Sequence, residues 1–358
     1  MRSNWNLGRM FLIAVCVALS TLPSISAFAQ DERPRRVTKP NYPVEGQTKP
    51  DPKPMAQAPA IQTSPPQPGQ PKSKGQDDVL RISSNLVAVP VSVTDASGQP
   101  VGGLMVRDFR LEEEGRPQQV VTLGEPGKTS MELALLIDVS GSVFRRLQFQ
   151  QQAASQFLRE VFKPTDAVSV FSIGIVPKLL QPRVTVVENA VSAVMNLSPT
   201  KEPTSFFDSI AEAALYLGKN ADPGARRVLV VISDGEDNYS GRYKLADAVQ
   251  ETQRADCLFY SINPSGSAIG LNRVSLKGQE GMASLASGTG GAAFLPEKLE
   301  DLNAVFRQIS AELQAQYLLC YYSTDERTDG SFRRITVRVP DRSDLRIRAR
   351  QGYYAPKA

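Results

Sequence analysis

Ala134-Leu135-Leu136-Ile137-Asp138-Val139-Ser140-Gly141-Ser142 is the stretch of this chain that decides its fold. It is a short apolar run closed by a polar turn, which is typical of a buried central strand. In an open α/β sheet, ligands bind at the carboxyl ends of the strands. Asp138, Ser140 and Ser142 would lie in the loop at that end, just before a helix that begins near Val143. One carboxylate and two hydroxyls at alternate positions suit a hard divalent cation such as Mg²⁺.

Strands and helices alternate from residue 132 to residue 314, and this part of the chain is predicted to be one α/β domain. Because helices separate the strands, we predict a doubly wound, mostly parallel sheet with right-handed crossovers. The predicted strands cover residues 132–138, 167–173, 179–187 (at an edge), 228–232, 257–262 and 292–295. The predicted helices cover residues 143–162, 208–217, 243–255, 281–287 and 299–313.

Period-two patterns mark the segments on either side of this domain, residues 79–124 and 317–358. Neither segment is long enough to bury a core alone, so we predict that they pair into one small β-sandwich-like unit. Arg346, Arg348 and Arg350 alternate with apolar residues in the second segment and are predicted to form a solvated face. Polyanion binding by this arginine row is the alternative.

The first 29 residues have the pattern of an export signal. Arg2 and Arg9 precede an apolar run over residues 10–22, and Ala27-Phe28-Ala29 fits a cleavage site. The run is too short to cross a bilayer comfortably, so we expect no transmembrane segment in the mature chain. Residues 30–78 are rich in Pro, Gln, Lys and Gly and are predicted to be a disordered linker. The mature protein is therefore expected to be periplasmic or secreted, including at the cell surface.

Composition excludes several kinds of site. The chain has no histidine, which excludes Ser-His-Asp and Cys-His catalysis and imidazole zinc sites.

The net charge of the whole chain is +4, and part of it comes from the predicted signal and linker, so we expect no nucleic-acid partner. Cys257 and Cys320 stand in apolar runs, which favours two buried free thiols, with a disulfide as the alternative.

Two further loops decide whether the Asp138 loop binds a metal. Thr204 lies in the polar loop before the predicted helix 208–217, and Asp234 follows the strongest strand of the chain. Both would reach the sheet edge that carries Asp138. Asp208 is interpreted as a cap of its helix, and Glu236 and Asp237 as part of a solvated loop.

These three loops resemble the von Willebrand factor type A domain over residues 132–313. In that family a metal-ion-dependent adhesion site uses an Asp-x-Ser-x-Ser loop, a Thr from a second loop and an Asp from a third. The resemblance implies that the metal ligands of this chain are Asp138, Ser140, Ser142, Thr204 and Asp234. The flanking β segments and the export signal further resemble bacterial exported proteins with a related domain. The chain departs from the family at Glu202-Pro203-Thr204, where Gly-Gly-Thr is common.

The resemblance implies an adhesion-type module rather than an enzyme. Mg²⁺, or Mn²⁺ or Ca²⁺ in its place, would keep one coordination position for an Asp or Glu carboxylate of a protein partner. Two alternatives stay open. One is a metal-independent scaffold of the cell envelope that makes its contacts through the β unit, and the other is a metal-assisted hydrolase at the same cluster.

Overall fold

The structure is a computed structural model that describes residues 86–124, 127–141, 146–265 and 273–357. The predicted signal peptide (residues 1–29), the predicted linker (30–78) and Ser142 lie outside these described residues. The strands are β1 (Leu86–Thr94), β2 (Arg110–Glu113), β3 (Arg116–Gln118), β4 (Val120–Gly124), β5 (Met131–Asp138), β6 (Ala167–Ile173), β7 (Lys178–Val184), β8 (Arg226–Ile232), β9 (Cys257–Ile262), β10 (Ala292–Phe294), β11 (Tyr317–Tyr322), β12 (Phe332–Arg338), β13 (Arg346–Ala349) and β14 (Gly352–Tyr354). The helices are α1 (Leu147–Val161), α2 (Val187–Met195), α3 (Phe206–Asn220), α4 (Leu245–Arg254), α5 (Arg273–Thr289) and α6 (Leu302–Ala315).

A six-stranded sheet in the order β10-β9-β8-β5-β6-β7 forms the centre of the α/β part. All its neighbours pair in parallel except β7, which runs antiparallel at the edge. β5 is buried along its whole length, as its continuous apolar run predicts. The structure confirms the predicted doubly wound, mostly parallel α/β sheet.

Helices cover both faces of this sheet and divide its core in two. On one face α1, α2 and α6 pack on Leu135 and Ile137 of β5. On the other face α3, α4 and α5 pack on Ala134 and Leu136. The alternation of side chains along β5 therefore supplies both cores from a single strand.

Two helices differ from the sequence prediction. α2 was not predicted, because the apolar signal of the edge strand continues into it without a breaking residue. α5 begins eight residues before the predicted start at Gly281, because Gly278 serves packing rather than termination. A Cβ at Gly278 would lie 2.7 Å from the carbonyl carbon of Gly235, so the helix can approach the end of β8 only without one.

The remaining strands form two four-stranded antiparallel sheets, ordered β13-β1-β11-β4 and β14-β12-β2-β3. They enclose one shared core that includes Val89, Val91, Leu111, Tyr321 and Ile335. The fold class prediction of a β-sandwich-like unit beside the α/β part is therefore also confirmed. Within the first β segment, residues 116–124 are divided between β3 and β4, which lie in different sheets.

The α/β part is inserted into this β unit between β4 and β11. The chain leaves the unit after β4 and returns through α6, which ends at Ala315, directly before β11 begins at Tyr317. β4 and β11 are themselves paired, with Leu318 opposite Gly124. The points where the chain leaves and rejoins the β unit thus lie side by side.

Only Arg346 of the predicted arginine row is exposed to solvent, whereas Arg348 and Arg350 are covered. Arg348 binds the carboxylate of Glu312 on α6, and the side chain of Glu312 is only 1 % exposed. Arg350 is buried, binds Asp256 and donates a hydrogen bond to the carbonyl of Ala88 at 2.7 Å. Alternation along the strand correctly predicts that these side chains share a face. It does not predict that α6 and the segment at Asp256 pack against that face.

Two further findings concern membrane-spanning helices and the thiols. No helix among the described residues is both long and apolar enough to cross a membrane. Cys257 and Cys320 are free thiols, as favoured from the sequence, although only Cys257 is fully buried. Burial raises the pKa of the Cys257 thiol to about 12.

We expect Arg348→Ala to lower the free energy of unfolding by about 3 kcal/mol, because it leaves the buried Glu312 carboxylate without its cation. Arg346→Ala is the matched control on the same strand, where the side chain is exposed, and should change it by less than about 0.5 kcal/mol. Adding Glu312→Gln to Arg348→Ala should restore most of the loss. Urea unfolding measures all three, and equal losses in the two arginine variants would contradict this role for Arg348.

Candidate metal centre

Asp138 is the last residue of β5, and its side chain is 0 % exposed. Its Oδ1 accepts a hydrogen bond from the backbone N–H of Ser140 at 2.9 Å. Its Oδ2 accepts one from the hydroxyl of Ser233 at 2.7 Å. Because β5 and β8 are parallel neighbours, their carboxyl ends meet, and this second bond joins the two loops.

Burial raises the pKa of the Asp138 carboxyl to about 6. The hydrogen bonds from Ser233 and Ser140 oppose this rise, and the nearby carboxylate of Asp234 adds to it. Within the described ranges no Lys or Arg forms an ion pair with either aspartate. The site therefore concentrates negative charge in a buried place with no protein cation to compensate it.

The loop that carries Thr204 is attached to the end of β6, next to the Asp138 loop. The N–H of Ser205 donates to the carbonyl of Gly174 at 2.9 Å, and the N–H of Val139 donates to Ile173 at 3.2 Å. Adjacent residues of β6 and its loop thus hold both segments at the same sheet edge. Thr204 itself is 3 % exposed.

A second set of bonds holds Thr204 against the loop after β8. The N–H of Thr204 donates to Oδ1 of Asn238 at 2.8 Å. In return, the backbone N–H groups of Asn238 and Tyr239 donate to the carbonyl of Thr204 at 3.1 and 3.0 Å. The carboxylate of Asp234, in the same loop, is 6 % exposed.

The structure thus collects four of the five residues in the predicted ligand set at one sheet edge. Asp138 and Ser140 share a turn, Asp234 follows the serine that binds Asp138, and Thr204 is bonded to the Asp234 loop. Ser142, the fifth residue, lies outside the described part of the chain. No group of three His, Cys, Asp or Glu side chains is arranged to hold a metal among the described residues, so a cation here would depend on hydroxyls as well as the two carboxylates.

Asp237, interpreted from the sequence as part of a solvated loop, has a structural role instead. Its Oδ1 accepts hydrogen bonds from the N–H groups of Phe206 at 2.8 Å and Phe207 at 3.4 Å, at the start of α3. It also accepts one from the hydroxyl of Ser240 at 2.5 Å. A carboxylate from a distant loop therefore caps α3, whose own N-cap residue, Ser205, makes no side-chain cap bond.

Asp208 does not cap α3 as the sequence interpretation held. Its carboxylate accepts hydrogen bonds from the N–H groups of Gly241, Arg242 and Tyr243 at 3.2, 3.2 and 2.8 Å. The two segments therefore hold each other. Asp237, in the loop after β8, caps α3, and Asp208, in α3, binds three N–H groups of the segment that follows Asp237. These bonds rigidify the two loops that carry Thr204 and Asp234.

Sequence reasoning missed three residues that build this place: Ser233, Asp237 and Asn238. Of these, only Ser233 could have been identified from the sequence, because it follows the apolar run of a predicted strand and directly precedes Asp234. Asp237 and Asn238 act on residues more than thirty positions away, and no local pattern shows that.

We expect Asp237→Ala to destabilise the protein by about 1–2 kcal/mol, because it removes the cap of α3. Asp237→Asn is the matched variant, as it keeps an oxygen acceptor in the same position and should lose clearly less. Midpoints of urea unfolding compare the two. If the Asn variant lost as much as the Ala variant, the charge of Asp237 rather than its hydrogen bonds would matter.

Comparison with known proteins relates part of the chain to a known domain family. Residues 133–236 match the sequence model of the von Willebrand factor type A domain. No curated protein matches the chain.

Several solved structures are similar to parts of the chain. An aerotolerance-related membrane protein from Bacteroides fragilis is 17% identical, with a TM-score of 0.42 over 51% of this chain and 98% of that one. The vWF domain of the type V pili tip protein Mfa5 from Porphyromonas gingivalis is 11% identical, with a TM-score of 0.42 over 51% and 94%. Proximal thread matrix protein 1 from the mussel byssus, with a zinc-occupied MIDAS motif, is 12% identical, with a TM-score of 0.43 over 57% and 50%.

The family match runs from β5 to the loop after β8, and it includes the loops of Asp138, Thr204 and Asp234. Over residues 133–236, this chain therefore has the sequence pattern of the von Willebrand factor type A domain.

Proposed function

We propose that this protein is an exported, adhesion-type binding module that uses a divalent metal to bind a carboxylate of a protein partner. Its ligand set would be Asp138, Ser140, Ser142, Thr204 and Asp234. Export is supported by the basic, apolar and small-residue pattern of residues 1–29.

One observation carries the proposal. Asp138 is fully buried and Asp234 is 6 % exposed, yet neither carboxylate forms an ion pair with a Lys or Arg of the described residues. Two neighbouring buried carboxylates are costly without a compensating positive charge, and this favours a divalent cation as their partner.

The chemistry of these donors fits Mg²⁺, or Mn²⁺ or Ca²⁺. The set consists only of carboxylate and hydroxyl oxygens, which hard cations prefer, and it contains no histidine or thiolate. Asp138 and Asp234 would balance the charge of a divalent ion, while Ser140 and Thr204 would add neutral donors.

A binding function follows from the same set. Two carboxylates and neutral hydroxyls leave the coordination of Mg²⁺ short of six strong ligands, so a carboxylate from a partner can complete it. In a water-excluding interface, such a bond anchors a complex. The protein's own contribution is rigidity, because the Asp237 and Asp208 bonds hold the ligand loops in place before the partner arrives.

Mg²⁺ should raise the thermal midpoint of the full chain relative to EDTA. At about 100-fold excess over the dissociation constant, binding to the folded state alone adds about 2.7 kcal/mol of stability. Asp138→Ala should abolish the shift, whereas Asp341→Ala, which removes an exposed aspartate of a turn, should keep it. A shift that is absent from the wild type would remove the metal from the proposal and favour the metal-independent scaffold.

A further inference from the structure

A groove of about 560 Å³ opens between β7 and α2, beside the proposed metal site. It begins at Val139, the residue after Asp138, and at Thr200. The N–H and hydroxyl of Thr200 both donate to the carbonyl of Val139, at 2.6 and 3.3 Å. The groove therefore shares a wall with the loop that carries Asp138.

The described lining of this groove contains hydrogen-bonding side chains, a few apolar ones, one cation and no acid. The neutral polar members are Ser172, Gln181, Asn189, Ser192, Asn196, Ser198 and Thr200. The cation is Lys178, which is exposed and has no acidic partner within the described ranges. Such a lining suits a ligand with carboxylate and amide groups, and its described residues offer no acidic side chain to pair with a basic one.

The floor of the groove has an unpaired hydroxyl next to this cation. Ser172 is 6 % exposed, and its hydroxyl makes no hydrogen bond to any other described residue. Ser172 of β6 stands directly opposite Lys178 of β7 in the antiparallel pair. Side chains opposite each other in such a pair have Cβ atoms about 5 Å apart, so the hydroxyl and the ammonium group can bind the same carboxylate.

We propose that this groove binds the partner segment next to the metal-bound carboxylate, and that Ser172 and Lys178 bind a second acidic side chain in it. The inference rests on the proposed function, because the metal fixes the first acid. It identifies the partner as an extended polypeptide that carries two acidic residues.

The spacing of the two acids follows from the sheet. Asp138 of β5 and Lys178 of β7 lie two strands apart, which is about 10 Å. An extended peptide advances about 3.3 Å per residue, so the second acid should follow the first by about three residues. Leu180, which is 38 % exposed, lines the same groove beyond Lys178 and offers apolar contact to the peptide there.

Synthetic Gly/Ser peptides with one Asp, or with a second Asp two to five residues away, test this inference against the full chain in Mg²⁺. We expect one spacing to bind about ten-fold more tightly than the single-Asp peptide, as one charge-assisted hydrogen bond provides. Ser172→Ala and Lys178→Gln should each remove this gain and leave the affinity of the single-Asp peptide unchanged. Lys219→Gln, at an exposed lysine near the end of α3, is the matched control and should keep the gain.

The outcomes separate this inference from the proposed function. Magnesium-dependent binding of the single-Asp peptide without any gain from a second acid overturns the groove and leaves the proposed function standing. A gain that survives in Ser172→Ala and Lys178→Gln also overturns it. If Mg²⁺ shifts the thermal midpoint but no peptide binds at millimolar concentration, the groove inference falls alone, and if the midpoint shift is missing as well, both fall.

Discussion

The burial of the Asp138 carboxylate is the constraint on which the rest of the site depends. β5 is covered on both faces, so a charged residue at its end has no access to solvent and must be held by the neighbouring loops. Ser140 and Ser233 donate hydrogen bonds to it, which fix its position but do not neutralise it. A buried anion that the fold orients but leaves uncompensated is costly unless a cation joins it.

The loops around Asp138 are held in place by hydrogen bonds and close contacts with distant parts of the chain. Asp237 caps α3 from another loop, and Asp208 binds three successive N–H groups in return. The backbone of Gly235 lies directly against α5, where no side chain separates them. Under the proposed function, this order would reduce the conformational entropy that the loops lose when a partner binds, in addition to stabilising the loops.

Much of this architecture could be predicted from the sequence, because local patterns specify it. The apolar run of β5 and the polar residues after it placed Asp138 at the correct edge, and the run of β8 did the same for Asp234. What could not be predicted depends on contacts between distant parts of the chain. The cap from Asp237 and the pairing of Arg348 with α6 are such contacts, and no spacing in the sequence reports them. α2 was missed for a different reason, as its apolar residues follow those of β7 without a boundary signal.

The pairing of β4 with β11 has a mechanical consequence. The chain leaves the β unit after Gly124 and re-enters it before Leu318, and these two residues are opposite each other in the ladder. Because β1 pairs with both β11 and β13, a pull applied to the chain at Leu86 and at Tyr354, the two ends of the β unit, is carried across those pairings, and the β4–β11 pair keeps the α/β part out of its path. Under the proposed function, the α/β part would bear tension only through its own bound ligand. Such an arrangement would keep the α/β fold intact while the β unit is pulled.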